Sequence, residues 1–171
     1  MMFCQSEAYN AALDMESKGH KYYVDIAEKA SNTLTKAVFA SLAEQELWHI
    51  KRIHELYERA GECIVDSHPP GTVEDAVKEV LKRFESKELD ALKMDNAQAY
   101  EYAMILEREG ALLYEKLAEE SKTPAEAEFF MGLLAEEDKH LEALENVFFY
   151  LERTGDWFAS QEDHVWNWMN M

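Results

Sequence analysis

The chain has 171 residues, of which 47% are hydrophobic, and this is enough to form one domain around a single core over residues 1–171. Its 17 basic and 35 acidic residues leave a net charge of −18, so we expect neither nucleic acid nor an anionic membrane as a partner. No apolar run approaches the roughly 20 residues that a membrane helix needs. The acidic surface favours either solubility alone or attraction of cations such as Fe(II).

The composition predicts an all-α protein. Three prolines and six glycines accompany long segments rich in Ala, Leu, Glu and Lys, which favour helices. The two cysteines, Cys4 and Cys63, form neither a disulfide framework nor a thiolate metal motif. The two cysteines fit reduced thiols, and the N-terminus lacks the basic and apolar segments of an export signal. Both features predict a cytoplasmic protein.

The first half of the chain predicts a helical hairpin over residues 6–60. Apolar residues recur at three- and four-residue steps from Ser6 to about Lys29, and again from about Thr33 to Ala60. Asn32 is placed to cap the second helix and Gly61 to end it.

A proline-containing linker divides the two halves. Residues 61–71 read GECIVDSHPPG and contain the only adjacent prolines. Thr72 and Asp75 then predict the start of a short helix from Val73 to Phe84. We therefore expect residues 61–96 to form a linker and a long crossover connection of the kind found in some four-helix bundles.

The second half predicts another hairpin, over residues 97–153. Its helices run from about Ala97 to Glu120 and from Pro124 to about Arg153. Thr123 is placed to cap the latter helix, and Glu126 to complete a capping box.

The C-terminal segment, residues 154–171, contains three of the four tryptophans. Aromatic segments of this kind usually bury their surface. We expect a short helical tail that packs across the end of the bundle or against another subunit.

An internal repeat relates the two hairpins. ALDMESKGHKYY at residues 12–23 matches AMILEREGALLY at a shift of 91, and FASLAEQELWH at residues 39–49 lies over FMGLLAEEDKH at the same shift. Each hairpin thereby supplies one glutamate from its first helix and a Glu-x-x-His pair from its second. The six residues are Glu16, Glu46, His49, Glu107, Glu137 and His140.

This spacing predicts a metal site. Residues three apart share one face of a helix, so Glu46 and His49 are placed to bind the same ion, as are Glu137 and His140. In so acidic a chain, a single Glu-x-x-His pair arises by chance, and its residues usually lie at the surface. Two copies at one offset, each thirty residues after a glutamate, match the di-metal carboxylate sites of four-helix bundles.

Charge supports the same prediction. Four glutamates in one core repel one another and raise their pKa values, whereas two divalent cations neutralise four carboxylates. Carboxylate and imidazole ligands without thiolate suit iron or manganese.

The repeat, with its paired Glu and Glu-x-x-His, resembles the ferritin-like superfamily and within it the rubrerythrin-like proteins, with a ligand pattern closer to bacterioferritin. The resemblance covers roughly residues 6–153 and implies a ferritin-like four-helix bundle with two irons. It implies that Glu46 and Glu137 bridge the irons, that Glu16 and Glu107 are terminal ligands, and that His49 and His140 each cap one iron.

Similar proteins reduce hydrogen peroxide or oxidise Fe(II) with dioxygen or peroxide, and rubrerythrin-like chains are more often homodimers. Rubrerythrins also carry a carboxylate three residues after the third-helix glutamate, where this chain has Gly110. They carry a cysteine-rich rubredoxin domain that this sequence lacks, so the resemblance implies a separate electron-donor protein.

Residues near the predicted ligands gave further hypotheses. Gly19 and Gly110 either make room for an oxidant or allow close helix packing, at a cost of about 1 kcal/mol each relative to alanine. Tyr23 and Tyr114, two turns after the lone glutamates, are placed to hydrogen-bond a carboxylate of the opposite pair. Gln45 and Glu136 either orient a ligand histidine across the bundle or lie at the surface. His20 is a minor ligand candidate, and Trp48 is expected to point away from the metals. The other histidines are expected at the surface or in the linker; they are His54, His68 and His164.

The leading functional prediction is a di-iron oxidoreductase that reduces hydrogen peroxide or dioxygen. The alternatives are a di-iron oxygenase acting on an organic substrate through an apolar channel, iron binding or storage in a multi-subunit shell, and a helical interaction protein without metal.

Overall fold

A computed structural model of the protein describes residues 7–58, 71–81 and 97–152. These residues form five helices and no strand, which confirms the predicted all-α bundle. The helices are α1 (Glu7–Lys29), α2 (Thr33–Glu58), α3 (Val73–Leu81), α4 (Ala97–Glu120) and α5 (Pro124–Glu152).

The ends of the helices follow from local capping. Asn32 Oδ1 accepts hydrogen bonds from the backbone N–H groups of Leu34 at 2.8 Å and Thr35 at 3.2 Å, so it caps α2 as predicted. At the start of α3, Thr72 and Asp75 bond reciprocally, each side chain accepting from the other's backbone N–H.

The cap of α5 differs from the prediction in one respect. Thr123 Oγ1 accepts from the backbone N–H of Glu126 at 3.2 Å, as a capping box requires. The Glu126 carboxylate, however, accepts from the N–H of Lys122 at 3.1 Å, one residue before the cap. The carboxylate thus pairs with a donor outside the first turn and also accepts from the hydroxyl of Tyr57 on α2.

Several predictions concern parts of the chain outside the described residues. They are most of the linker that precedes α3, the crossover that follows α3, the C-terminal tail, Cys4, Cys63, His68 and His164.

Two hairpins build the bundle. The helices α1 and α2 pack extensively on each other, as do α4 and α5, while contacts between the hairpins are fewer and run through α1 with α4 and α2 with α5. The short helix α3 lies mainly on α2 and contributes the buried side chains of Val73 and Val77 to the core. None of the described helices is long and apolar enough to span a bilayer.

Two apolar clusters fill opposite ends of the bundle. One contains Phe39, Tyr100 and Leu144, and the other contains Ile53, Tyr114 and Phe130. Along each of the four long helices the predicted ligand residues lie between these clusters. The bundle therefore holds a polar layer in its middle, closed at both ends by hydrophobic side chains.

Candidate metal centre

The six glutamates and histidines that the repeat singled out converge in the middle of the bundle. Each is at most 4% exposed. Carboxylates and imidazoles this deeply buried are costly unless they are paired or bind a metal. The site therefore requires either protons or cations to balance its charge.

The six side chains form two overlapping groups of four. Within each group, one potential ligand atom from every residue lies within 4.8 Å of the others. Two glutamates belong to both groups, so they occupy the shared position between two potential ion sites. The groups are Glu16, Glu46, His49 and Glu137, and Glu46, Glu107, Glu137 and His140.

Both histidines turn the same nitrogen toward the carboxylates. His49 Nδ1 lies 3.2 Å from Glu16 Oε2 and 3.5 Å from Glu137 Oε1. His140 Nδ1 lies 3.3 Å from Glu107 Oε2 and 3.5 Å from Glu137 Oε2. The two rings are stacked with centroids 5.5 Å apart, and Nδ1 is the potential ligand atom that each presents to the centre.

The opposite nitrogens are held by residues from the other hairpin. His140 Nε2 donates to Gln45 Oε1 at 2.8 Å, and His49 Nε2 donates to Glu136 Oε2 at 2.8 Å. A hydrogen on Nε2 leaves the Nδ1 lone pair for a metal, which is the usual arrangement around ligating histidines. This confirms the predicted orientation across the bundle, because Gln45 is buried and the Glu136 side chain is only 19% exposed.

Two buried tyrosines complete the polar layer. The Tyr23 hydroxyl donates to the carboxylate of Glu107, and the Tyr114 hydroxyl donates to the carboxylate of Glu16. Each phenol therefore bonds the lone glutamate of the other hairpin, as predicted. The pairs Tyr23 and Tyr114, and Gln45 and Glu136, are both separated by the repeat shift of 91 residues.

The electrostatics of the centre agree in part with the expected repulsion. Burial raises the pKa of Glu46 well above its usual range, and the carboxylates of Glu16 and Glu137 raise it further. Burial and the nearby Glu137 raise the pKa of Glu107 in the same way. These glutamates favour the protonated form when no cation is present.

Glu137 behaves differently from the prediction that all four pKa values rise. Burial raises its pKa, but Glu107 and the two histidines outweigh that effect and hold the pKa well below its usual range. Burial also opposes the charging of His49 and His140, yet the carboxylates around them raise both pKa values well above the usual range. The prediction was wrong for Glu137 because it counted carboxylate repulsion and left out the facing imidazoles.

The donor set fits two divalent metal ions. Glu107 Oε2 and His140 Nδ1 are buried and lie 3.3 Å apart, yet neither makes a hydrogen bond with any residue that the structure describes, although both face the same group of ligand atoms. Such unsatisfied buried atoms are uncommon, and at a carboxylate and imidazole cluster they fit direct metal coordination.

A small pocket between α1 and α4 reaches the shared glutamates. It is lined by Gly19 and Gly110, by Met15 and Leu106, and by carboxylates of the centre. A Cβ added at Gly110 would lie 3.5 Å from Glu137 Cδ, and one at Gly19 would lie 3.5 Å from Glu46 Cδ. These are ordinary contacts with side chains and not with the backbone of a neighbouring helix, which favours room beside the glutamates over close helix packing.

Met15 and Leu106 were not singled out from the sequence. They immediately precede Glu16 and Glu107 and are themselves related by the repeat shift of 91. The repeat therefore marks them as equivalent neighbours of two predicted ligands, while their place in the pocket follows from the packing of α1 and α4.

The minor candidates lie elsewhere. His20 Nδ1 contacts the backbone oxygen of Ala43 at 2.8 Å and is absent from both ligand groups. His54 is exposed and bonds the hydroxyl of Tyr9 at 2.7 Å. Trp48 lies against the guanidinium of Arg52, 4.9 Å from its ring centroid, so its indole is in a cation–π contact.

The sequence profile of the Rubrerythrin family matches residues 7–148. The chain belongs to the Rubrerythrin family. No curated protein and no solved structure matches it significantly. The match spans both hairpins and all six convergent residues, and no rubredoxin domain is present among residues 7–58, 71–81 and 97–152 of this family member.

The contact between Gln45 and His140 gives a prediction about metal affinity. Gln45→Leu removes the acceptor that fixes Nε2–H, so we expect metal binding to weaken by roughly 10- to 100-fold. Calorimetric titration with Fe(II) or Mn(II) under anaerobic conditions measures this. Gln98→Leu, at an exposed position of α4, is the matched control and should bind metal as the wild type does. Equal affinity in both variants would contradict the role assigned to Gln45.

Proposed function

We propose that this chain binds two iron ions at the six-residue centre and uses them to reduce hydrogen peroxide or dioxygen. The observation that carries the proposal is the pair of buried four-residue ligand groups that share two glutamates. Membership of the Rubrerythrin family supports iron in particular. Manganese suits the same ligands and is the alternative occupant.

The six residues divide into two roles in this proposal. Glu46 and Glu137, which both groups share, would contribute to both ion sites, and the remaining glutamates and histidines would each hold one ion. Two bound Fe(II) ions supply two electrons and polarise the oxygens of the oxidant. One ion site contains Glu16 and His49, and the other contains Glu107 and His140.

The surrounding residues keep the ligands in place and exclude bulk water. Tyr23 and Tyr114 each donate a hydrogen bond to one oxygen of a terminal carboxylate. The other oxygen of that carboxylate remains available as a ligand. Gln45 and Glu136 fix the two imidazole rings from behind. The apolar clusters at both ends of the bundle close the polar layer along its axis.

The pocket between α1 and α4 supports a small oxidant as the substrate. It accommodates about one molecule of the size of water. Its floor consists of the carboxylates, and its walls include two glycines. The space is far too small for an organic substrate, so it favours a small oxidant over an organic molecule.

Anaerobic loading followed by rapid mixing tests this function. Protein loaded with about two Fe(II) per chain should oxidise its iron rapidly with hydrogen peroxide, with dioxygen or with both, as followed by stopped-flow absorbance. Equal and sluggish oxidation by both would count against a dedicated reductase of either oxidant. Less than one metal per chain after reconstitution would contradict the metal centre itself.

Three further parts of the proposal concern the setting of the reaction. We propose that a separate protein donates electrons, that the chain acts in the cytoplasm, and that it forms a homodimer. Leu47, Leu112 and Met131 are each more than half exposed and offer apolar surface for a second copy. A measured mass of two chains supports the dimer, whereas a shell of many chains would favour iron storage.

A further inference from the structure

A line of three tyrosines connects the metal centre with the protein surface. Tyr23 is 1% exposed and donates its hydroxyl hydrogen to Glu107. Its ring contacts that of Tyr22 with centroids 5.8 Å apart, and Tyr22 contacts Tyr102 with centroids 4.8 Å apart. Tyr102 lies on α4 and is 41% exposed. The line thus begins at a proposed ligand and ends in solvent.

This line exists on one side of the centre although the ligands themselves are repeated. At the repeat shift of 91, Tyr22 corresponds to Leu113 and Tyr102 corresponds to Ala11. The ring of Tyr114, the counterpart of Tyr23, lies 6.0 Å from that of Phe130, and Tyr23 lies 5.8 Å from the corresponding Phe39, so the two sides differ in the residues that replace Tyr22 and Tyr102. Leucine and alanine cannot donate an electron as tyrosine does. The added tyrosines therefore go beyond what binding two metals requires.

We propose that Tyr23, Tyr22 and Tyr102 form a relay that delivers single electrons from the surface to the centre when an oxidant there takes more electrons than the metals hold. The inference rests on the proposed function. Reduction of dioxygen to two waters consumes four electrons and four protons, while two Fe(II) ions supply two electrons in becoming Fe(III). The remaining two must come from elsewhere, and tyrosine is an adequate one-electron donor to a strong oxidant.

The proton of each phenol has a destination when that phenol is oxidised. When Tyr23 gives up an electron, its phenolic proton moves along the hydrogen bond to Glu107 and returns when Tyr22 reduces the Tyr23 radical. The Tyr22 hydroxyl donates to the backbone oxygen of Ala99 at 3.1 Å, and a carbonyl of this kind cannot hold the proton. Tyr22 is only half-buried, so its proton passes to water.

The surface tyrosine closes the cycle. Tyr102 reduces the Tyr22 radical, which recovers a proton from water, and Tyr102 loses its own proton to solvent. A one-electron reductant at the surface then restores Tyr102, with uptake of a proton. Each passage moves one electron inward and leaves all three tyrosines unchanged.

The protonation state of Tyr22 is consistent with this order of electron and proton transfers. Burial, together with the nearby Tyr102 and Asp25, raises the pKa of Tyr22 to about 12. The phenol therefore remains protonated near neutral pH, and its oxidation is coupled to loss of the proton.

Radical spectroscopy on the iron-loaded protein tests the relay. Protein loaded anaerobically with Fe(II) is mixed with excess dioxygen, frozen and examined by electron paramagnetic resonance. We expect a tyrosyl radical signal that ascorbate, a one-electron reductant, quenches rapidly. In Tyr22→Phe the radical should be confined to Tyr23, and its rapid quenching by ascorbate should be lost. Tyr57→Phe, a tyrosine outside the line, should behave as the wild type does.

A second measurement needs no substitution and locates the radical directly. A nitroso spin trap added during the reaction, followed by peptide mass spectrometry, should locate an adduct on Tyr102 of the wild-type protein. Oxidation of iron without a tyrosyl radical, or quenching that is equally fast in Tyr22→Phe and the wild type, would overturn the relay alone. Failure of the wild-type protein to oxidise iron would overturn the proposed function and the relay together.

Discussion

Glu46→Gln is expected to abolish binding of both metal ions. Glu46 belongs to both ligand groups and its carboxylate approaches both histidines, His49 Nδ1 at 3.6 Å and His140 Nδ1 at 3.7 Å. An amide cannot bridge two cations as a carboxylate does, so neither site retains its charge balance. Metal content after anaerobic reconstitution should fall from about two ions per chain to near zero, as measured by elemental analysis.

Two other variants make this prediction specific. Glu16→Gln changes a residue of one group only, so we expect it to retain about one ion per chain at the Glu107 site. Glu44→Gln alters an exposed residue of the same helix and should retain both ions. Two ions bound to Glu46→Gln would show that Glu46 is no bridging ligand, and loss of both ions from Glu16→Gln would refute the division into two groups.

The same substitution, Glu46→Gln, should raise the stability of the metal-free protein. The pKa of Glu46 is raised in the folded state. As the pH rises above the usual glutamate range, ionisation of Glu46 therefore favours the unfolded chain, and the folded protein loses stability. Glutamine removes that charge at nearly constant volume. Metal-free Glu46→Gln should therefore unfold at a higher temperature than the metal-free wild type at pH 7, as measured by calorimetry, even though it no longer binds metal.

Gly110→Ala is expected to stabilise the fold and slow the reaction. Alanine in a helix interior is favoured over glycine by about 1 kcal/mol, and the new Cβ meets Glu137 Cδ at 3.5 Å and Met15 Cε at 3.6 Å, which are ordinary contacts. The methyl group, however, occupies the pocket beside the shared glutamates. We expect iron oxidation to slow by roughly tenfold, which corresponds to about 1.4 kcal/mol in the barrier.

Gly132→Ala provides the matched control, since Gly132 is exposed in the interior of α5 and a Cβ there meets nothing within 4 Å. It should gain similar stability in urea denaturation and oxidise iron at the wild-type rate. If Gly110→Ala also reacts at the wild-type rate, the oxidant does not use this pocket. If Gly110→Ala loses stability, close packing around Gly110 would be the reason for the glycine.

Much of the centre could be predicted because the repeat carries its information twice. The equal shift of 91 identified the six convergent residues, and the spacing of Tyr23 and Tyr114 along their helices predicted that each phenol bonds a carboxylate of the opposite pair. Capping residues such as Asn32 act through bonds within four residues, so their effect is also readable from the sequence.

What the sequence could not supply depends on contacts between helices. The lowered pKa of Glu137 results from imidazoles on two different helices, and no local pattern reports their distances. The contact between Tyr22 and Tyr102 arises from the packing of α1 on α4 and has no counterpart in the repeat. Pocket residues such as Met15 are likewise defined by what faces them across the bundle.

The position of the polar layer also bears on how the protein folds. Each ligand group takes residues from both hairpins, so neither hairpin alone contains a complete site. Contacts between the hairpins are fewer than those within them. Bound ions would therefore act as cross-links between two otherwise loosely joined halves, and their binding free energy would make unfolding of either half cooperative with the other.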